Sequence, residues 1–124
     1  MKLAYIAGPF RANLPLDVER NVRRAEELAY AVAEKFKIMP LCPHTNNRFF
    51  DKTLTDDFWL EGTTELMLRC DLVVLVFRTA PLVSEGTRAE VKRAREVGIP
   101  VYWYDALEDC LCIYDDEIPQ IDTE

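Results

Sequence analysis

The chain has 124 residues, of which 49% are hydrophobic and 30% charged, with a formal net charge of −7. That length suits one domain that buries its core without metals or disulfides, and the composition is that of a folded protein rather than a disordered one. The negative charge excludes a broad surface for nucleic-acid polymers or acidic membranes, which depend on basic patches, and leaves room for a small anion held by a few local arginines.

In chain order, Lys2 to Ala7 is short and apolar and stops at Gly8-Pro9, the pattern of a buried first strand feeding a turn. From Asp17 onward, Val18, Val22, Ala25, Leu28, Ala29, Val32 and Phe36 recur at helical spacing, which predicts an amphipathic helix capped by Asp17. Lys37 to Leu41 reads as a second strand and Cys42 to Asn47 as the polar loop leaving it. Residues 48 to 54 carry no clear pattern. Asp56 to Arg69 predicts a helix turning Phe58, Trp59, Leu66 and Met67 toward a core, interrupted by Gly62.

Asp71 to Phe77 is a continuous aliphatic run, the signature of a central parallel strand buried on both faces. Ser84-Glu85-Gly86-Thr87 then opens a helix carrying Val91, Ala94 and Val97, which stops at Gly98 before a strand over Val101 to Tyr104. Ala106 to Cys112 reads as a short helix, and residues from about 113 to 124 as an acidic tail on a single domain spanning 1–124. The order β-α-β-α-β-α-β predicts an α/β fold: a mostly parallel sheet with helices on both faces, which binds ligands at the carboxyl ends of its strands. Gly8, His44, the 78–86 loop and Tyr104 fall at that edge.

Four cysteines, Cys42, Cys70, Cys110 and Cys112, form no Cys-x-x-Cys pair, and the N-terminus lacks the apolar core of a signal peptide. A reduced, cytoplasmic protein is expected. Cys110-x-Cys112 resembles half of a metal site, but His44 is the one histidine and no second close pair exists, so free thiols, no metal and no cofactor are the expectation. No run reaches the ~20 apolar residues of a transmembrane helix.

The turn at Ser84 has the features of an anion site, because a strand-to-helix turn aims backbone N–H groups and the positive helix end at one spot. Glu90 follows six residues later, and its charge would repel a bound anion unless the two contact different parts of one ligand, as in a sugar phosphate. Taken alone, Glu90 reads as a solvated helix carboxylate, Ser84 as a helix N-cap, Tyr5 as a strand aromatic and Arg11 as a loop charge. His44 suits a base pocket or the ordering of a loop. Phe10, Phe49, Phe50 and Trp59 are candidate stacking surfaces for a nucleobase, or core and interface aromatics.

As an ordered set, Tyr5-Ile-Ala-Gly8-Pro9-Phe10-Arg11, the Pro43-His44 loop, Asp71, and Ser84-x-Gly86-x-x-x-Glu90 resemble the nucleoside 2-deoxyribosyltransferase superfamily. The similarity spans residues 3 to about 104 and is greatest to its small members that hydrolyse nucleoside 5′-monophosphates. The resemblance implies a three-layer, Rossmann-like (flavodoxin-like) fold, Glu90 as a nucleophile forming a glycosyl-enzyme, and Tyr5 and Asp71 assisting. Such a nucleophile is a carboxylate because a negative charge stabilises an oxocarbenium-like transition state and then collapses onto it. As a strand-start residue, however, Asp71 would sit at the opposite edge of the sheet.

By the same resemblance, serine at the position of Ser84 marks enzymes of 5′-monophosphates where aspartate marks those of free nucleosides. Gly8, Pro9, Phe10, Arg11, His44, Ser84, Gly86 and Thr87 would line the substrate, with Arg11 on phosphate and Gly86 letting backbone approach the anion. Those enzymes often have a hydroxyl residue where this chain has Pro9, which supplies neither a side-chain nor a backbone donor. The resemblance further implies a homo-oligomer. The expected activity is N-glycoside hydrolysis of a nucleotide, the alternatives being deoxyribosyl transfer and a non-catalytic nucleotide sensor.

Overall fold

The computed structural model describes residues 1–46 and 54–115. In chain order the elements are β1 (Leu3–Ala7), α1 (Pro15–Phe36), β2 (Met39–Leu41), α2 (Pro43–Asn46), α3 (Asp56–Leu68), β3 (Leu72–Leu75), α4 (Ala80–Val83), α5 (Glu85–Glu96), β4 (Val101–Asp105) and β5 (Cys110–Ile113). The five strands form one sheet in the order β2-β1-β3-β4-β5. The first four strands are parallel and β5 runs antiparallel to β4, so the sheet is mixed.

Strand alternation divides the core. Ala4 and Ile6 of β1 join Leu72 and Val74 of β3 in a cluster with Ala25, Leu28 and Val32 of α1. Tyr5 and Ala7 join Val73 and Leu75 in a second cluster with Met67 of α3 and Val91 and Ala94 of α5. Period-two strands thereby serve two helical stripes, each repeating at three- and four-residue spacing. All four residues of β3 are buried, as its unbroken aliphatic run requires.

From β1 the chain turns to one side for β2 and then crosses to the other for β3. The crevice beyond the carboxyl ends of β1 and β3 is therefore the switch point at which such sheets take ligands. Gly8 lies there, close against the loop after β3: an added Cβ would come within 2.3 Å of Val76 Cγ2. The amino ends are tied by Asp71, whose N–H donates to Leu3 O and whose Oδ2 accepts from Leu3 N, both at 2.8 Å.

Several local expectations are corrected. Helix α1 begins at Pro15 with Leu14 as its N-cap and no capping side chain. Asp17 lies inside the first turn, where its charge complements the helix dipole. Phe58 is exposed, with Met67 taking the buried position on α3. The 42–47 and 78–86 loops contain the single turns α2 and α4.

Residues 106–112 do not form a helix. Asp105 Oδ1 accepts from Leu107 N and Glu108 N, Asp109 turns the chain at φ 53°, and β5 returns along β4. The expected tail consequently starts later. Ile113 is in β5, and Tyr114 is buried, its N–H donating to Val101 O at 2.9 Å and its carbonyl accepting from Arg95 at 2.7 Å. Most of that tail, and Phe49 and Phe50, lie outside the described residues. Among the described residues no helix is long and apolar enough to cross a membrane.

Valine is stiff at χ1, so Val76 cannot swing clear of a methyl group at residue 8. Gly8→Ala should lower unfolding free energy by roughly 1–3 kcal/mol in urea titration.

Candidate active site

The carboxyl-edge loops after β1, β2 and β3 converge at the switch point. The loop after β1 is pinned from two sides: His44 Nε2 lies 2.9 Å from Pro9 O, and Asn21 Nδ2 donates to Phe10 O at 3.3 Å. The Phe10 ring also meets the His44 imidazole edge to face, with centroids 5.6 Å apart. His44 is 4% exposed, and its Nδ1 is buried without a partner. Burial lowers its pKa below the ordinary histidine value, so the neutral ring is favoured. That makes His44 a loop-ordering residue in this structure.

The closest polar contact of the site joins β1 to α5. Tyr5 is fully buried on the face covered by α3 and α5, and its hydroxyl donates to Glu90 Oε2 at 2.5 Å. Glu90 follows from helical spacing: Thr87, Val91 and Ala94 form the buried stripe of α5, and Glu90 flanks it on the Tyr5 side. The residue as a whole is half-buried. Burial pushes its pKa up to about 7, against the opposing pull of the Tyr5 hydrogen bond. Burial first, then the Glu90 charge, raises the Tyr5 phenol, which stays protonated and acts as a donor.

Thr63 of α3, whose hydroxyl donates to Leu60 O at 3.2 Å, works in the opposite direction on the Tyr5 pKa. Thr63 is not among the residues that the sequence marks as candidates. The available signal was its spacing, four residues before Met67 on the inner face of α3.

Ser84 is the N-cap of α5. Its Oγ accepts from Thr87 N at 3.2 Å and from the Thr87 hydroxyl at 3.0 Å, which leaves the Ser84 O–H proton for another acceptor. Thr87 is itself 1% exposed and serves the cap from inside. Gly86 is exposed, and a Cβ there would meet only Ser84 Oγ at 3.9 Å, so the fold does not demand glycine at this position.

Three polar side chains, the candidates Arg11 and Asp71 and the neighbouring Arg88, are engaged elsewhere. Arg11 pairs with Asp56 at 2.7 Å, an exposed contact of little energetic weight. Arg88 donates from Nε to Pro81 O at 3.0 Å and so clasps α4. Asp71, a catalytic expectation, is occupied with Leu3 N at the amino ends of the strands; the structure does not bring it to the Tyr5–Glu90 pair. A cleft of about 440 Å³ lies between Pro40, Leu41, Cys42, Thr45 and Leu66. Leu41 is the parallel neighbour of Tyr5, which puts this cleft beside the same face of the sheet. Among the described residues no three His, Cys, Asp or Glu side chains gather as a metal site.

A family model described as "Domain of unknown function (DUF7768)" matches residues 2–104, and the chain belongs to that family. No curated protein and no solved structure matches the chain.

The raised Glu90 pKa has a thermodynamic signature. Between about pH 4.5 and 7 the folded protein holds a proton on Glu90 that the unfolded chain has released, so stability falls as pH rises through that window. The full effect is of the order of 3 kcal/mol, at about 1.4 kcal/mol per pKa unit. Urea midpoints should fall from pH 5 to pH 8 in the wild type, and Glu90→Gln should remove most of that fall.

Proposed function

We propose that this member of the family hydrolyses the N-glycosidic bond of a nucleoside or deoxynucleoside 5′-monophosphate. The observation that carries the reading is the Tyr5–Glu90 hydrogen bond, which fixes one carboxylate oxygen and leaves the other for chemistry. In the proposed reaction, Glu90 Oε1 attacks the anomeric carbon as the bond to the base breaks, giving a glycosyl-Glu90 ester. Water then attacks the same carbon, releases the sugar phosphate and restores the carboxylate. Tyr5 orients the nucleophile and helps stabilise its charged form, in keeping with the lowering influence of its hydrogen bond on Glu90.

The phosphate half of the reading draws on the start of α5. The free Ser84 proton, the exposed backbone at Gly86 and the positive helix end suit an oxyanion, with Arg11 recruited from its exposed pair with Asp56. The cleft beside Leu41 and Leu66 is the proposed seat of the base, and the first loop, Gly8 to Phe10, covers the sugar. The strand order 2-1-3-4-5 supports a flavodoxin-like arrangement of three layers. A homo-oligomer goes with this reading and is checked by light scattering.

Deoxyribosyl transfer from a free nucleoside is the second reading. It is favoured by the engagement of Arg11 with Asp56, which leaves the phosphate with fewer charged partners. Supplying a second base distinguishes the two: transfer yields a new nucleoside, hydrolysis yields free sugar phosphate.

A chromatographic screen of nucleotides for released base tests the reaction. Glu90→Ala should reduce turnover by about 1000-fold or more, and unchanged turnover would remove the covalent mechanism. In the wild type, kcat/KM should rise with pH and level off above about 7 as Glu90 ionises. Gly86→Ala should leave the urea midpoint unlowered, or raise it slightly, while raising KM for a monophosphate more than for the free nucleoside. Equal effects on both would sink the phosphate assignment.

A further inference from the structure

Away from this site, Cys110 and Cys112 occupy alternate positions of β5 and so share one face of the strand, with their sulfurs 3.5 Å apart. Both are partly exposed. Cys112 lies opposite Trp103 and Cys110 opposite Asp105, while Leu111 between them packs with the cluster on the α1 face. Among the described residues strand β5 ends the sheet and is paired on one side, with β4, so its backbone is free to yield.

The other two cysteines differ. Cys70 is buried and Cys42 partly so, and burial raises both thiols.

We propose that Cys110 and Cys112 are a redox-active dithiol, oxidised to an intramolecular disulfide by a low-molecular-weight disulfide such as glutathione disulfide. One cysteine thiolate attacks a sulfur of the oxidant, forming a mixed disulfide and expelling the first thiolate. The second cysteine thiolate attacks the cysteine sulfur of that mixed disulfide, forms the Cys110–Cys112 bond and expels the second. The pair loses two protons and two electrons, and the oxidant becomes two thiols.

An S–S bond of about 2.05 Å requires the sulfurs to approach by roughly 1.5 Å. Closing so small a ring on an extended strand strains it, which places the disulfide among the easily reduced kind. The Cys112 sulfur, and to a smaller extent the Asp105 and Glu108 carboxylates, hold the Cys110 thiol above its ordinary pKa. Oxidation is therefore faster in alkaline buffer.

The test uses the full chain exposed to glutathione disulfide, then blocked with iodoacetamide and digested with trypsin. The peptide from Glu96 to Glu124 contains Cys110 and Cys112 and neither of the other cysteines. That peptide should lose two hydrogen masses and take up no alkyl group, and in Cys110→Ser or Cys112→Ser it should carry one glutathione instead. Two alkyl groups on the wild-type peptide, or two glutathiones with no internal bond, would overturn the proposal.

Discussion

The hydroxyl of Tyr5 imposes the constraint around which the site is built. Tyr5 is fully buried in a strand covered on both sides, and a phenol in that position needs a hydrogen-bond partner. Glu90, 85 residues later in the chain, supplies it. The contact fixes how far along the sheet α5 lies, and with it where the Ser84 cap points. It also confines a carboxylate to surroundings that favour its protonated form. A neutral amide at position 90 would also accept from the phenol without introducing a titrating group, whereas an apolar side chain would leave the hydroxyl unpaired. A buried carboxyl with so raised a pKa, hydrogen-bonded to a buried phenol, is a candidate functional group.

The first loop shows a similar economy. Gly8 is required by contact with Val76, Pro9 offers only its carbonyl, and His44 and Asn21 grip the loop through backbone oxygens. Side chains reached from two neighbouring elements therefore shape a segment with no regular structure of its own. Its geometry at the switch point is inherited from α2, α1 and the residue after β3 rather than from local propensity.

Much of the fold was legible because period and punctuation agree. The Leu72–Leu75 run, the stripe of α1 and the Gly98 stop, which adopts φ 82°, each have a local physical cause. The start of α1 was misread because Asp17 is chemically the better cap, whereas the structure uses Pro15 in the first turn and leaves Leu14 uncapped. Strand β5 was missed because its turn has no glycine or proline; it relies on the Asp105 side chain and on Asp109, a residue that tolerates positive φ. Within the site, Tyr5 and Glu90 come together across 85 residues, a pairing that no local pattern encodes. Asp71 shows the reverse: strand polarity already put it at the far edge, and there it clamps β1. Thr63 escaped notice because a helix-interior threonine carries no signature until its neighbour across the core is known.

The sheet ends on one side in β2, three residues long with Pro40 at its middle. Proline has no N–H to give to an incoming strand, so this margin resists being extended by another chain. The opposite margin, β5, is four residues long and bears the two thiols. Short border strands, one of them carrying a proline, guard the described sheet against ribbon-like extension by another chain.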